Sequence, residues 1–288
     1  MNEPRLKHAQ CLDTRGLHRM AYWEWGDASN ARVLVCVHGV ARQGRDFDTL
    51  AQAMLPEYRV VCPDMVGRGQ SDRLADPMGY VLPTYLADMV TLLARLDAES
   101  IDWLGTSMGG LIGLALASLN GNPVRRLVLN DVGPVIEAEA IARIGAYLGQ
   151  RMSFASFEEA SDFLQSISAP FGIRTREQWL ALTRPMLKPV GEQWVLHYDP
   201  QIAAPVRALK PEHIAAAEAA TWLAYDALRV PTLLLRGADS DLLSRQTAQA
   251  MTQRGPKARL HEFAGIGHAP MLVDADQIEV VREFLLSP

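Results

Sequence analysis

The chain has 288 residues, 49% hydrophobic and 21% charged, a balance that supports a sizeable buried core and excludes a disordered chain. Its 28 Lys and Arg stand against 33 Asp and Glu, a net charge of −5 with the signs interspersed, so no basic surface is available to neutralise nucleic-acid phosphates. No window approaches about eighteen uninterrupted apolar residues, and the opening MNEPRLKHAQ lacks the apolar segment of a secretory signal, which predicts a cytoplasmic protein without a membrane partner.

In chain order, HRMAYWEWGD (18–27) predicts an antiparallel strand at the start of a sheet. ARVLVCVHG (31–39) and YRVVCPD (58–64) are continuous β-branched runs, the pattern of strands covered on both faces. Between them Phe47, Leu50, Ala51, Met54 and Leu55 recur at helical spacing, which makes strand, helix, strand: one crossover of a parallel sheet. The alternation continues with a helix over 84–96, a strand over 100–105, a helix over 108–119 and a strand over 125–131. After a gap it resumes with a strand over 231–237, a helix over 245–254, a strand over 258–263 and a helix over 275–286. The gap has another texture, with Ala/Glu-rich helical stretches, Trp179, Trp194, Trp222 and several prolines. Such an insertion lies over the carboxyl edge of an open α/β sheet, where ligands bind. The expected organisation is an α/β core in two parts, 1–135 and 226–288, with a helical cap over 136–225.

WLGTSMGGLIG (103–113) places Ser107 two residues after Gly105 and two before Gly109, between the fourth of these strands and a helix. G-x-S-x-G in that setting has a mechanical cause: the chain reverses so sharply that flanking side chains would clash and the serine takes a strained conformation. The turn exposes Oγ above the sheet and aims the Met108 N–H at a developing oxyanion.

A serine hydroxyl needs an adjacent base. Of seven histidines, His8 and His18 are expected in solvent ahead of the sheet, His261 within a strand, and His197 and His213 in the cap. His268, in FAGIGHAPML after the last strand, occupies a Gly-rich loop at the edge that also carries Ser107, and is the base. The orienting acid belongs on a loop that precedes it in the chain. RGADSDLL offers Asp239 and Asp241, and Asp131 ends LVLND one strand earlier; spacing does not separate them, and the order of preference is Asp241, Asp239, Asp131. The second oxyanion donor falls on Val40 in VCVHGVARQGRDF, with His38 and Gly39 turning the chain; His38, Gly39 and Arg42 are the candidates for substrate contact, with Gln43 beside them. His38 locks that loop rather than acting as a base.

Four landmarks in this order, HGVARQGRDF, PDMVGRGQSD, GTSMGG and GIGHAP, resemble those of the α/β-hydrolase superfamily over essentially the whole chain. RGADSDLL and LVLNDVGP look like its bacterial esterase-like branch. The resemblance implies an eight-stranded, mostly parallel sheet with a cap after the sixth strand. It also implies Ser107 as nucleophile, His268 as base, Val40 and Met108 as oxyanion donors and, on the aspartate of "SD", Asp241 as acid. Serine at the elbow, where dehalogenases and epoxide hydrolases carry aspartate, narrows the expected reaction to hydrolysis of a small ester, lactone or related carbonyl compound.

The rival readings are a non-hydrolytic enzyme on the same scaffold (acyltransferase, lyase or cofactor-free haloperoxidase) and an inert ligand-binding protein. Product analysis separates the first and fluorophosphonate labelling of Ser107 the second. Cys11, Cys36 and Cys62 form no CxxC pair and have no histidine at metal-ligand spacing, and no phosphate loop or dinucleotide fingerprint is present. The expected partner is a small-molecule substrate, with no metal or cofactor; oligomeric state is left open.

Overall fold

A computed structural model describes residues 3–287. Eight strands form its central sheet: β1 (Arg5–Asp13), β2 (Gly16–Trp25), β3 (Val33–Val37), β4 (Arg59–Pro63), β5 (Ile101–Thr106), β6 (Val124–Asn130), and, after three short strands in an insertion, β10 (Thr232–Gly237) and β11 (Arg259–Phe263). Their order is β1-β2-β4-β3-β5-β6-β10-β11. The β1/β2 and β2/β4 pairs are antiparallel and every other pair is parallel.

Every residue of β3, β4 and β10 is buried, as continuous apolar runs require when helices cover both faces. Alternate side chains therefore serve different cores. Val33, Val35 and Val37 join Trp103 and Leu127 on one side, while Leu34 and Cys36 join Leu50, Leu104 and Val128 on the other. The layers are made by α1 (Asp48–Met54), α2 (Leu82–Leu96), α3 (Met108–Ala117), α9 (Arg245–Met251) and α10 (Ala275–Leu286). Numbered between these, α4 (Ala138–Tyr147), α5 (Phe157–Ile167), α6 (Arg176–Thr183), α7 (Ala204–Arg207) and α8 (Pro211–Ala227) lie in the insertion.

Two features depart from expectation. The first is β1, where RLKHAQCLD turns tightly back onto β2, with Asp13 opposite Gly16. An edge strand keeps polar residues on its open side, which hides it from an apolar-run search. That hairpin also corrects the placement of His18, which is buried with Nε2 3.1 Å from both carboxylate oxygens of Asp88 on α2.

The second is a three-stranded antiparallel sheet inside the insertion, β7 (Ser153–Phe154), β8 (Leu187–Val190) and β9 (Gln193–Leu196), in the order β7-β9-β8. The two-residue turn Gly191-Glu192 joins β8 to β9, with Gly191 at φ +60°, a conformation glycine adopts without penalty. The insertion is therefore mixed rather than purely helical.

Candidate active site

The turn from β5 into α3 carries Ser107 at φ 52° and ψ −116°, outside the ordinary allowed regions. A Cβ at Gly105 would run into the Gly109 backbone, and one at Gly109 into the Val37 carbonyl on the neighbouring strand. The glycines are thus the condition for seating α3 against β3 and β5 at this angle. Ser107 itself anchors the first turn: its carbonyl accepts from the Gly110 and Leu111 N–H groups, at 2.9 and 3.1 Å.

Ser107 Oγ lies 3.0 Å from His268 Nε2, and His268 Nδ1 lies 2.8 Å from Asp131 Oδ2. A carboxylate only accepts, so Nδ1 carries the proton and donates to Asp131, leaving the Nε2 lone pair for the serine hydroxyl. Asp131 is fully buried and φ 56° turns its side chain back under the loop. The same carboxylate accepts the Ser240 hydroxyl at 2.7 Å and the Gly237 N–H at 3.1 Å.

This corrects the preference for Asp241 and Asp239. Asp241 is exposed and held by Arg143, whose Nε and Nη2 donate to its two oxygens at 2.6 and 2.8 Å. Burial works to raise the Asp241 carboxyl, but those bonds and the Arg143 charge win and hold it below the usual carboxylate range. Asp239 is exposed, and its N–H donates to the Ile266 carbonyl. The reason lies in strand register. Thr106 of β5 pairs with Asn130 of β6, so Ser107 and Asp131 follow at the same level on adjacent parallel strands.

The loop after β3 approaches from the other side. A Cβ at Gly39 would sit 3.7 Å from the Ser107 Cβ, and the next residue, Val40, lines the same cavity as Ser107. His38 fixes this loop: the Met65 N–H donates to its Nε2 at 2.9 Å, and its Nδ1 therefore donates to the Gly39 carbonyl at 2.7 Å. Complete burial pushes its pKa down to about 3, so it stays neutral. Met108 opens α3, where first-turn N–H groups have no partner within the helix.

Two residues that tie this site together escaped the motif reading. Arg68, almost fully buried, donates from Nε to the Val40 carbonyl at 2.9 Å and packs Nη2 3.7 Å from Met108 Sδ, bracing both sides of the turn. Asn130 donates from Nδ2 to Thr106 Oγ1 at 3.0 Å and to the Pro270 carbonyl at 2.8 Å, joining β5, β6 and the His268 loop. The only sequence signal for either is a polar residue in a landmark loop or at the end of an apolar run.

Ser107 and His268 open into a cavity whose walls include Phe47, Ile144, Phe163, Leu164, Phe171 and Met271. Arg42 lies on its wall, locked to Asp46 by two bonds of 2.7 Å, while Gln43 is buried beside it. His261 stacks near Phe263 on β11, with ring centroids 4.7 Å apart, and His197 in the insertion faces the Pro185 carbonyl at 3.4 Å. Neither reaches the serine. Away from the cavity, the ligand atoms of Cys11, His18 and Asp88 lie within 4.8 Å of one another, a buried group of metal-ligating types that neither sequence spacing nor the expected exposure of His18 suggested. The His18–Asp88 hydrogen bond uses Nε2 and raises the His18 pKa, while the buried Nδ1 has no hydrogen-bond partner. Among the described residues, no helix is long and apolar enough to cross a membrane.

A strand-to-helix serine turn, a histidine beyond the last strand and a carboxylate at the end of a neighbouring strand, on an eight-stranded mostly parallel sheet, define a class. The chain belongs to the α/β-hydrolase fold family, whose model matches residues 32–275, and it is a hydrolase acting on ester bonds. It is similar to the 3-hydroxybutyrate-oligomer hydrolase of Cupriavidus necator, 55% identical over 285 residues that cover 98% of this chain and 97% of that one. It is also similar to esterase YbfF of Escherichia coli, 28% identical over 250 residues covering 83% and 87% of the two chains. Among solved structures, an α/β hydrolase from Novosphingobium aromaticivorans superposes with a TM-score of 0.86 at 34% identity, covering 99% of each chain.

Proposed function

We propose that this chain hydrolyses short ester oligomers of 3-hydroxybutyrate through an acyl-enzyme on Ser107. The observation that carries the chemistry is the continuous pair of hydrogen bonds Ser107–His268–Asp131, at 3.0 and 2.8 Å. The similarity to the Cupriavidus necator hydrolase over nearly the full length of both chains supports the substrate.

In the cycle, His268 Nε2 takes the Ser107 proton as Oγ bonds to the ester carbon, while Asp131 holds the ring and stabilises the imidazolium. The Val40 and Met108 N–H groups stabilise the oxyanion. Collapse breaks the ester C–O bond, and the proton on Nε2 passes to the departing alkoxide. Water, deprotonated by the same nitrogen, attacks the acyl carbon; the C–Oγ bond breaks and the proton returns to Ser107. Three buried, unpaired cysteines fit a reducing compartment, and we place the enzyme in the cytoplasm.

Ser107→Ala should reduce kcat on the 3-hydroxybutyrate dimer by several orders of magnitude, on the order of 10⁶ where triad members act as a unit. It should also abolish fluorophosphonate labelling. A variant retaining activity within tenfold of wild type would rule out the acyl-enzyme.

A further inference from the structure

The charged groups on the cavity wall beside His268 are Arg42, Asp46 and Arg143. Arg42 and Asp46 neutralise one another in a nearly buried pair, with side-chain exposures of 12% and 6%. Arg143 differs. It lines the cavity, but its counter-ion Asp241 does not, and that pair is open to water on both sides, with side-chain exposures of 38% and 44%.

The bidentate contact with Asp241 uses Nε and Nη2 of Arg143 and leaves the two hydrogens of Nη1 outside that pairing. A water-exposed ion pair of this kind contributes little by itself, so a second carboxylate can share or replace Asp241 at small cost. One turn further along α4, Tyr147 lines the same cavity. Burial pushes its phenol above the ordinary value against the opposing charge of Arg143, so the hydroxyl stays protonated and able to donate. Residues four apart share a helix face, and Ile144 sets an apolar surface beside them.

We propose that Arg143 and Tyr147 form a carboxylate subsite, and that the preferred substrates are esters that carry their own free carboxylate. This rests on the ester-hydrolase reading above and narrows it. One cation and one hydroxyl donor on an otherwise apolar wall match a small aliphatic ester with one anionic end, the form of a hydroxyacid oligomer at neutral pH. Asp241 then holds the guanidinium in place between turnovers instead of orienting the histidine.

The test compares the 3-hydroxybutyrate dimer with its terminal carboxamide, the same ester with a neutral end, at pH 7 and by chromatography of products. Wild type should favour the acid in kcat/KM by tenfold or more, the range of a charge-assisted hydrogen bond. Arg143→Gln should reduce that preference at least tenfold, mainly through KM, with Arg143→Lys and Tyr147→Phe intermediate. Salt should raise KM for the acid and leave that for the carboxamide unchanged. Equal kcat/KM for the two compounds in wild type would overturn the subsite while leaving the hydrolase intact, as would a preference that survives Arg143→Gln within threefold. Cleavage of p-nitrophenyl butyrate but of neither dimer would overturn the subsite together with the oligomer substrate and leave only the ester hydrolase. No cleavage of any of the three would overturn the hydrolase reading and the subsite with it.

Discussion

At the scale of single residues, the partner of His268 is decided by strand register. Asp131→Asn should lower kcat on the order of 10⁴-fold by removing the acceptor that fixes the ring tautomer, while Asp239→Asn stays within a few-fold of wild type. An Asp239→Asn variant more impaired than Asp131→Asn would reverse the assignment. The pairing of Ser107 with His268 was legible because each stands in a glycine-marked loop with its own local pattern. The carboxylate that bonds His268 was not, since Asp131 differs from Asp241 only in which strand end it occupies, and Arg143, which captures Asp241, lies 98 residues away in the sequence. His38 makes a separate prediction. Folded, it stays neutral down to about pH 3, whereas unfolded it takes a proton near the ordinary histidine value of 6.5, so the unfolded state binds more protons in this window. Stability from His38 is therefore complete above pH 6.5 and falls as pH drops towards 3. Buried Asp64, raised from 3.8 to about 6, acts oppositely, its folded form binding more protons between those values. The wild-type advantage over His38→Gln in urea unfolding should thus shrink by about 2 kcal/mol between pH 6.5 and 5. An advantage constant across that range would refute the neutral, buried state of His38.

Elements explain why so much of the fold could be read directly. Strands buried on both faces carry long apolar runs, and β3, β4 and β10 advertise themselves that way, as do the apolar stretches WL of β5 and LVL of β6. Strands with an open side do not: β1 mixes Arg5, Lys7 and Gln10 with apolar residues, and β8 and β9 are four residues each. The β5–α3 turn depends on backbone space, which yields a contrast between two glycines. Gly109→Ala drives a methyl into the Val37 carbonyl and should cost about 3 kcal/mol. Gly145→Ala, inside α4 with nothing within 4 Å of the added carbon, should instead stabilise by about 0.5–1 kcal/mol. Thermal unfolding of the two variants should move in opposite directions; a Gly109→Ala variant as stable as wild type would show that the elbow does not depend on that space.

For the whole molecule, the segment between β6 and β10 has a small apolar core of its own, in which Phe154, Leu164, Trp179, Met186 and Leu187 pack together, separate from the two cores flanking the sheet. Such a unit can loosen by itself. Trp179→Ala should raise KM and speed amide exchange across residues 153–196 while leaving the exchange of β3 and β5 slow; uniform acceleration would mean that the segment and the sheet unfold together. That this segment exists was legible from its change of texture. Its internal hairpin was not, because the signal was one Gly-Glu turn among helical patterns. The position of the acid also bears on how such proteins diversify. Ser107 and Asp131 belong to one β5–α3–β6 unit, and the chain between residue 131 and Thr232 is a detour that leaves the sheet on β6 and rejoins it on the adjacent β10, ahead of β11 and His268. Selection can lengthen, shorten or exchange that detour, and so rewrite what the enzyme accepts, without moving the endpoints that hold its chemistry in register.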